Sequence, residues 1–198
     1  GKTEIYLRTI ETVVAAGRQA IVLVPEIPLS TQTMQRFTRR FNRVALLHSA
    51  LTPSQRNAYW RQIAHGEADV VIGPRSAAFA PAHKLGLLIV DEEHESSYKQ
   101  DTSPRNHARD VAVMRGKLLG ANVILGSATP SLESLYNARE GKYGLLKLPY
   151  RATTHGLPRT HVVQLDGKFY SADGSGLISR ELERMVHSEL KRGAQSIL

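Results

Sequence analysis

Cysteine is absent from this chain of 198 residues. That excludes disulfide bridges and cysteine-held zinc within it, and leaves the compartment open. Also missing are a basic-then-apolar leader at the N-terminus and any apolar run near the roughly 20 residues a membrane span requires. The expectation is a soluble, cytoplasmic chain with no membrane partner. Acidic residues are in deficit, 18 against 26 lysines and arginines, for a formal net charge of +8. The excess is spread along the chain, which suits a polyanionic partner such as nucleic acid and equally suits a merely solvated basic surface.

What the chain does have is a series of short apolar runs: "AIVLV" at 20–24, "VALLH" at 44–48, "DVVIG" at 69–73, "LLIVD" at 87–91 and "NVILG" at 122–126. They are continuous rather than alternating, the pattern of strands covered on both faces in a parallel sheet. Helical patterns lie between them. Tyr6, Ile10, Val13, Val14 and Gly17 share one face ahead of the first run. In "TPSQRNAYWRQIAHG", Thr52 reads as N-cap, Pro53 as the first helical residue and Gly66 as the stop, and another helix is expected within 107–119. Strand alternating with helix predicts a doubly wound α/β domain, whose ligands bind outside the carboxyl ends of the strands. The length fits one large domain, or one domain with part of another.

One strand end is unusual. "LLIVDEEHES" runs from aliphatic side chains straight into Asp91, Glu92, Glu93 and His94. Adjacent carboxylates repel, and packing gives no reason to gather them, whereas a metal cation does. A second polar strand end follows, "GSATPS" at 126–131, and the chain opens with Gly1-Lys2-Thr3. Gly-Lys-Thr entering a helix matches the end of a phosphate-binding loop, whose Lys reaches nucleotide phosphates and whose Thr hydroxyl holds magnesium. With a carboxylate pair after a later strand, this forms the two halves of an NTPase site. Asp91 then orients magnesium and Glu92 is the general base for the attacking water; the competing reading is an acidic, solvated loop that caps the next helix.

In order and spacing, "GKTEIYL", "VLVPEI", "HSALTPSQR", "VIGPRSAAFAP", "IVDEEHESSYKQ", "HARDVA" and "LGSATPSLES" resemble the motifs of a superfamily 2 helicase. The pairing of "GPRSAAF" with "DEEHESSYKQ" resembles more narrowly the primosomal replication-restart helicases of bacteria. The resemblance is dense over residues 1–135 and looser beyond. It implies a RecA-like P-loop NTPase fold, with residues 1–150 as the first helicase lobe and 151–198 as linker and the beginning of a second. It implies ATP and magnesium as cofactors, single-stranded and forked DNA as substrate, and 3′ to 5′ unwinding in replication restart. Primosome and single-strand-binding proteins are the partners it implies for the parent protein, with zinc confined to a part of that protein beyond this chain. The chain alone is expected to be monomeric.

Residue by residue, the resemblance assigns Gly1, Lys2 and Thr3 to ATP phosphates and magnesium, and Asp91, Glu92 and His94 to the catalytic motif, with the histidine linking the ATP site to DNA movement. Ser127, Ala128 and Thr129 match the motif that couples hydrolysis to strand displacement. Pro25, Glu26, Arg75 and Ser76 fall in motifs that approach single-stranded DNA. The segment after the acids resembles an aromatic-rich DNA-sensing loop. Here Tyr98 is its clear ring, and Lys99, Arg105, His107 and Arg109 are its candidate phosphate contacts. Plainer roles stand beside these. Pro25 and Glu26 would serve equally to turn the chain, Arg75 to decorate a surface loop, and Ser127 and Thr129 to cap the helix beginning near Ser131. His48 and Trp60 read as packing residues. "KYGLLKLP" reads as a final strand, 151–160 and 166–176 as loops or linker, "LISRELERMVHSELKRG" as an amphipathic helix stopped by Gly193, and "GAQSIL" resembles the first strand of a second lobe. Other superfamily 2 translocases, or a DNA-binding module without catalysis, are the alternatives.

The glycine-rich front of the phosphate loop and the opposing lobe's arginine are expected to lie outside this chain. Because that arginine alone is worth ~10³ to 10⁵ in rate, the isolated chain should show no DNA-stimulated ATP turnover in a phosphate-release assay. Turnover near that of an intact helicase would overturn this; weak nucleotide binding is compatible with it.

Overall fold

A computed structural model, describing residues 1–25, 31–149, 159–163 and 178–197, turns each of the five apolar runs into a strand of one parallel sheet. In chain order the elements are α1 (Lys2–Ala15), β1 (Gln19–Leu23), α2 (Thr31–Thr38), β2 (Val44–Leu46), α3 (Pro53–Ala64) and β3 (Val70–Gly73). A 3₁₀ turn, Arg75–Phe79, leads to β4 (Leu85–Asp91), and a second, Ser96–Tyr98, to a small hairpin of β5 (Lys99–Gln100) and β6 (Asn106–His107). Then come α4 (Ala108–Leu119), β7 (Asn122–Gly126), α5 (Leu132–Arg139) and α6 (Arg180–Lys191). The main sheet has the order β2-β3-β1-β4-β7, and β5 and β6 pair separately.

Two apolar layers explain why the runs do not alternate. On one face Ala20, Val22, Ile72, Leu87 and Ile89 meet Tyr6, Leu7 and Ile10 of α1 and Phe37 of α2. On the other, Ile21, Leu23, Val71, Leu88 and Val90 meet Ile63 of α3 and Ala108 and Ala112 of α4. Burying each such Leu, Ile or Val contributes about 1.5–3 kcal/mol, so the central strands β1 and β4 anchor the domain. This is the doubly wound α/β arrangement expected. The buried Gln19 fits because its side chain is fully used: its amide donates to the carbonyls of Ile63 and Ala68, and its oxygen accepts from the Lys84 amide.

Helix α3 begins and ends where the sequence places it. The Thr52 hydroxyl accepts from the Gln55 amide while the Gln55 side chain accepts from the Thr52 amide, a capping box. Gly66 follows at φ +71°, a left-handed turn that suits glycine. Trp60 is half-buried against the α3–α4 layer.

The chain divides into two compact units, Gly1–Ala152 and Thr153–Leu198. In the second, Ser179 caps α6 by accepting from the Leu182 amide at 3.1 Å, Glu181 and Glu183 occupy its first turn, and Gly193 follows at φ +72°. Its Leu182, Met185 and Leu190 are exposed. Two expectations fail. Residues 144–149 form no strand, and Leu145, Leu146 and Leu148 stand in solvent; residues 194–197 form none either. An apolar sequence becomes a strand only where a neighbour takes its N–H and C=O groups, and none of the described residues does so here. The stretches 151–158 and 166–176, read as loops or linker, lie outside the described residues. Among the described residues no helix is long and apolar enough to cross a membrane.

Gly73, the last residue of β3, is a steric requirement. A Cβ there would lie 2.9 Å from both the Cβ and the carbonyl oxygen of Leu47 and 3.0 Å from the Cβ of Ala77. None of these is the tip of a flexible side chain, so Gly73→Ala should destabilise the fold by about 1–3 kcal/mol, read as a lowered midpoint in urea unfolding. An unchanged midpoint would show that the β2–β3 edge yields more readily than its packing implies.

Candidate functional site

Because the five strands are parallel, their carboxyl ends share one edge of the sheet. Register makes this concrete: Leu23 pairs with Gly73 on one side and Val90 on the other, and Asp91 pairs with Gly126. The segments that follow, beginning at Pro25, Pro74, Glu92 and Ser127, therefore leave the sheet along the same edge. Helix α1 brings its first turn to it, for the Lys2 ammonium lies 2.5 Å from the Glu92 carboxylate and 3.7 Å from that of Asp91. The structure thus brings together Lys2, Asp91, Glu92, His94, Ser127 and Thr129.

Each of the three adjacent acids has a separate partner. Asp91 accepts a hydrogen bond from the Tyr6 hydroxyl at 3.0 Å. Burial, and then the Asp91 charge, push the Tyr6 pKa far above its ordinary value, so Tyr6 remains a protonated donor. Lys2 and Tyr6 are i,i+4 on α1, and so reach the acids from one helix face. Glycine at 126 is what admits Tyr6, because a Cβ there would overlap its hydroxyl. Glu92 takes Lys2 and sits at φ +46°, the one non-glycine residue with positive φ among those described. That conformation costs on the order of 1–2 kcal/mol for an L-residue. It turns the chain so that Glu92 and His94 face the site while Glu93 turns inward.

The His94 ring joins the two strand-end loops. Its Nδ1 lies 2.6 Å from the Ser127 hydroxyl and its Nε2 3.4 Å from that of Thr129, while the Ser127 hydroxyl accepts from the Thr129 amide at 2.9 Å. Ala128 is exposed. The N-cap of α5 is Ser131, whose hydroxyl accepts from the Ser134 amide at 3.3 Å. Ser127 and Thr129 are therefore not needed as caps.

Glu93 is 1% exposed. Its carboxylate accepts from the Ser131 amide at 2.7 Å, the Ser131 hydroxyl at 3.0 Å, the Ser134 hydroxyl at 2.9 Å and Arg109 at 3.3 Å. Burial opposes the charge, but the serine donors and the guanidinium outweigh it and hold the carboxyl below its ordinary value.

Two of the candidate DNA contacts are corrected by this geometry. Tyr98 is 0% exposed, with its hydroxyl donating to the Asp91 carbonyl at 2.6 Å; it supports β4 from inside the core and offers no face to a base. The Arg109 side chain is 11% exposed and held by Glu93, Asp110 and Glu133, so its charge is committed within the protein. Neither fate was legible locally, since a ring and an arginine in a polar segment look alike whether they point in or out. Lys99 and Arg105 are exposed on the β5–β6 hairpin, where Lys99 meets Asp101 at 3.0 Å and Arg105 donates to the Asp101 carbonyl at 3.2 Å. His107 is half-buried; burial, and then the Arg109 charge, lower its pKa.

Arg75 donates to the Lys99 carbonyl at 2.6 Å, tying its loop to the hairpin. The 3₁₀ turn is held from below by Arg115, which donates to the carbonyls of Ala78 and Ala80. Ser76 is exposed, Pro25 is buried, and Glu26 lies outside the described residues. Sequence reasoning passed over Tyr6, Ser131, Ser134 and Arg115. For Tyr6 the spacing from Lys2 was an available signal; the others act on groups too far away in sequence to leave one.

The donor set suits magnesium with a nucleotide. Asp91 and Glu92 offer hard oxygen ligands beside Lys2, and among the described residues no group of three His, Asp or Glu could hold a metal by itself. Magnesium in such a place completes its shell with water and phosphate oxygens. A doubly wound α/β domain with two linked strand-end loops at the carboxyl edge of its sheet is the class of protein defined here. The family model for DEAD/DEAH box helicases matches residues 1–138, and the chain belongs to that family, with a RecA-like sheet. Over 199 residues it is 45% identical to the replication restart protein PriA of Bacillus subtilis, a match that takes in 100% of this chain and 25% of that protein. It is 47% identical to PriA of Haemophilus influenzae, covering 100% of this chain and 27% of that protein. The chain thus spans about a quarter of the length of these curated relatives. It is also similar to the Hef helicase domain of Pyrococcus furiosus, at 20% identity and a TM-score of 0.46, over 71% of this chain and 30% of that one.

Arg109→Ala should cost on the order of 2–3 kcal/mol, because it leaves a buried carboxylate with only neutral donors. Arg105→Ala should stay within about 0.5 kcal/mol. Thermal unfolding of both variants checks the contrast; equal shifts would contradict the division of these arginines into internal and external.

Proposed function

We propose that this chain is the first motor lobe of a PriA-type, ATP-dependent 3′ to 5′ DNA helicase that acts on forked DNA in replication restart. On this reading residues 1–150 form the lobe, and 151–198 the linker and the start of the second lobe. One observation carries it: Lys2 pairs with Asp91 and Glu92 while the adjacent His94 reaches Ser127 and Thr129. A phosphate-binding cation, a carboxylate pair and a hydroxyl-bearing second loop are thereby joined in one network. The identity to PriA proteins over the whole chain supports the same reading. Single-stranded and forked DNA would be the substrate, primosome and single-strand-binding proteins the partners, and the cytoplasm the place of action. Zinc would bind, if anywhere, in other parts of the full-length protein.

When bound, ATP would supply the electrophilic phosphorus and magnesium would offset the negative charge of the acids. The chain's own residues do the rest. Lys2, whose ammonium the two carboxylates now share, is the cation for which phosphate oxygens compete. Thr3 and Asp91 would be the magnesium-side oxygen donors, and Tyr6 orients Asp91. Glu92 accepts the proton of the attacking water. His94 passes the state of this site to Ser127 and Thr129 on the neighbouring loop. The half-buried Arg75 and the exposed Lys99 and Arg105 are suited to hold phosphates of the DNA strand.

In the full-length protein, Glu92→Gln should leave ATP binding nearly intact and abolish turnover, since an amide cannot take the water's proton. Asp91→Asn should weaken magnesium-dependent nucleotide use, and His94→Ala should lower DNA-stimulated ATPase and unwinding more than nucleotide affinity. Near-normal turnover by Glu92→Gln would show that another group is the base, whereas ATP-independent DNA binding that Glu92→Gln leaves unchanged would favour a non-catalytic DNA-binding module. Arg75→Ala and Arg105→Ala should weaken DNA binding alike across sequences and flatten its salt dependence by roughly one unit of slope per lost contact. Titrations at several salt concentrations measure this, and an unchanged slope assigns the two arginines to the solvated surface.

A further inference from the structure

Glu93 does more than its surroundings require. Helix α5 already has its cap in the Ser131 hydroxyl, which accepts from the Ser134 amide. Yet Glu93 spends its carboxylate on Ser131, Ser134 and Arg109, and its own amide donates to the Gly126 carbonyl at 3.1 Å. One buried residue is thus bonded to the end of β7, the start of α5 and the first turn of α4. Its two sequence neighbours face the other way, Glu92 toward Lys2 and His94 toward Ser127. A residue with Glu92 and His94 as its covalent neighbours cannot shift without moving both.

We infer that Glu93 is a positioning residue, which carries any displacement of the 127–131 loop or of the first turn of α4 to Glu92, and so sets how strongly DNA stimulates hydrolysis. This rests on the helicase reading given above. The path to Glu92 is short and stiff. It runs through hydrogen bonds of 2.7–3.3 Å to a side chain with no solvent around it, followed by one peptide link. The contact between His94 and Ser127 is separate: it lies at the exposed side of the same two loops, whereas Glu93 joins them from within.

The test is made in the full-length protein with Glu93→Gln, a near-isostere that removes the charge while keeping the shape. The ratio of single-stranded-DNA-stimulated to basal ATPase should fall roughly tenfold, within the range of coupling between linked sites, while the KM for ATP changes less than about twofold. Arg109→Lys, which keeps the charge but not the planar fork, should fall between wild type and Glu93→Gln. Ser134→Ala guards against loss of folding in the first variant. It should lower the same ratio about twofold to threefold, and combine with Glu93→Gln less than additively because the two share one interaction. Should both Glu93→Gln and Ser134→Ala lose basal and stimulated turnover in equal proportion, in step with a lowered melting temperature, Glu93 is only structural and the inference is overturned. An unchanged ratio in a wild-type background that does respond to DNA overturns it as well, and leaves the helicase reading standing. A wild-type protein with no DNA-stimulated ATPase would instead remove the helicase reading, and this inference with it.

Discussion

Three adjacent carboxylates at the end of a buried strand must each be compensated, and much of the domain is arranged to do so. Repulsion within Asp91, Glu92 and Glu93 would undo the end of β4 if all three faced one side. The positive φ at Glu92 separates them, and each then takes a chemically different partner: a phenol for Asp91, an ammonium for Glu92, a guanidinium with serine donors for Glu93. Those partners come from α1, α4 and α5. Electrostatic compensation of one short segment therefore fixes the ends of three helices against the carboxyl edge of the sheet.

The strands and most helices were legible because their signals are local. A run such as "LLIVD" carries both faces of β4 in one stretch, with Leu87 and Ile89 facing one layer and Leu88 and Val90 the other. Thr52, Pro53 and Gly66 mark the ends of α3 by chemistry that needs no tertiary partner. "KYGLLKLP" misled for the complementary reason, since its composition suits a strand but strand formation depends on a neighbour that composition does not record.

Within the site, proximity to a strand end was the readable quantity and side-chain direction was not. Lys2, Asp91, Glu92, His94, Ser127 and Thr129 converge because parallel strands force their ends together, whatever the loops do in detail. Tyr98 and Arg109 went astray because the loop after the acids folds back under β4, so a ring and a cation become internal supports. The buried guanidinium answers an acid 16 residues earlier in the chain. Arg109 and Glu93 thus carry opposite charges that only the folded chain brings together, a pairing invisible to any local pattern.

The backbone at Glu92 has an evolutionary corollary. A glycine or an asparagine would occupy the left-handed conformation with less strain, so selection for a well-folded domain alone would erode the glutamate there. With Glu92 as the proposed general base, the position is one where thermodynamic ease and chemical utility pull in opposite directions. In lineages that keep the fold but relinquish hydrolysis, it is among the first places where relaxed constraint should become visible, with loss of the acid accompanied by a gain in ruggedness.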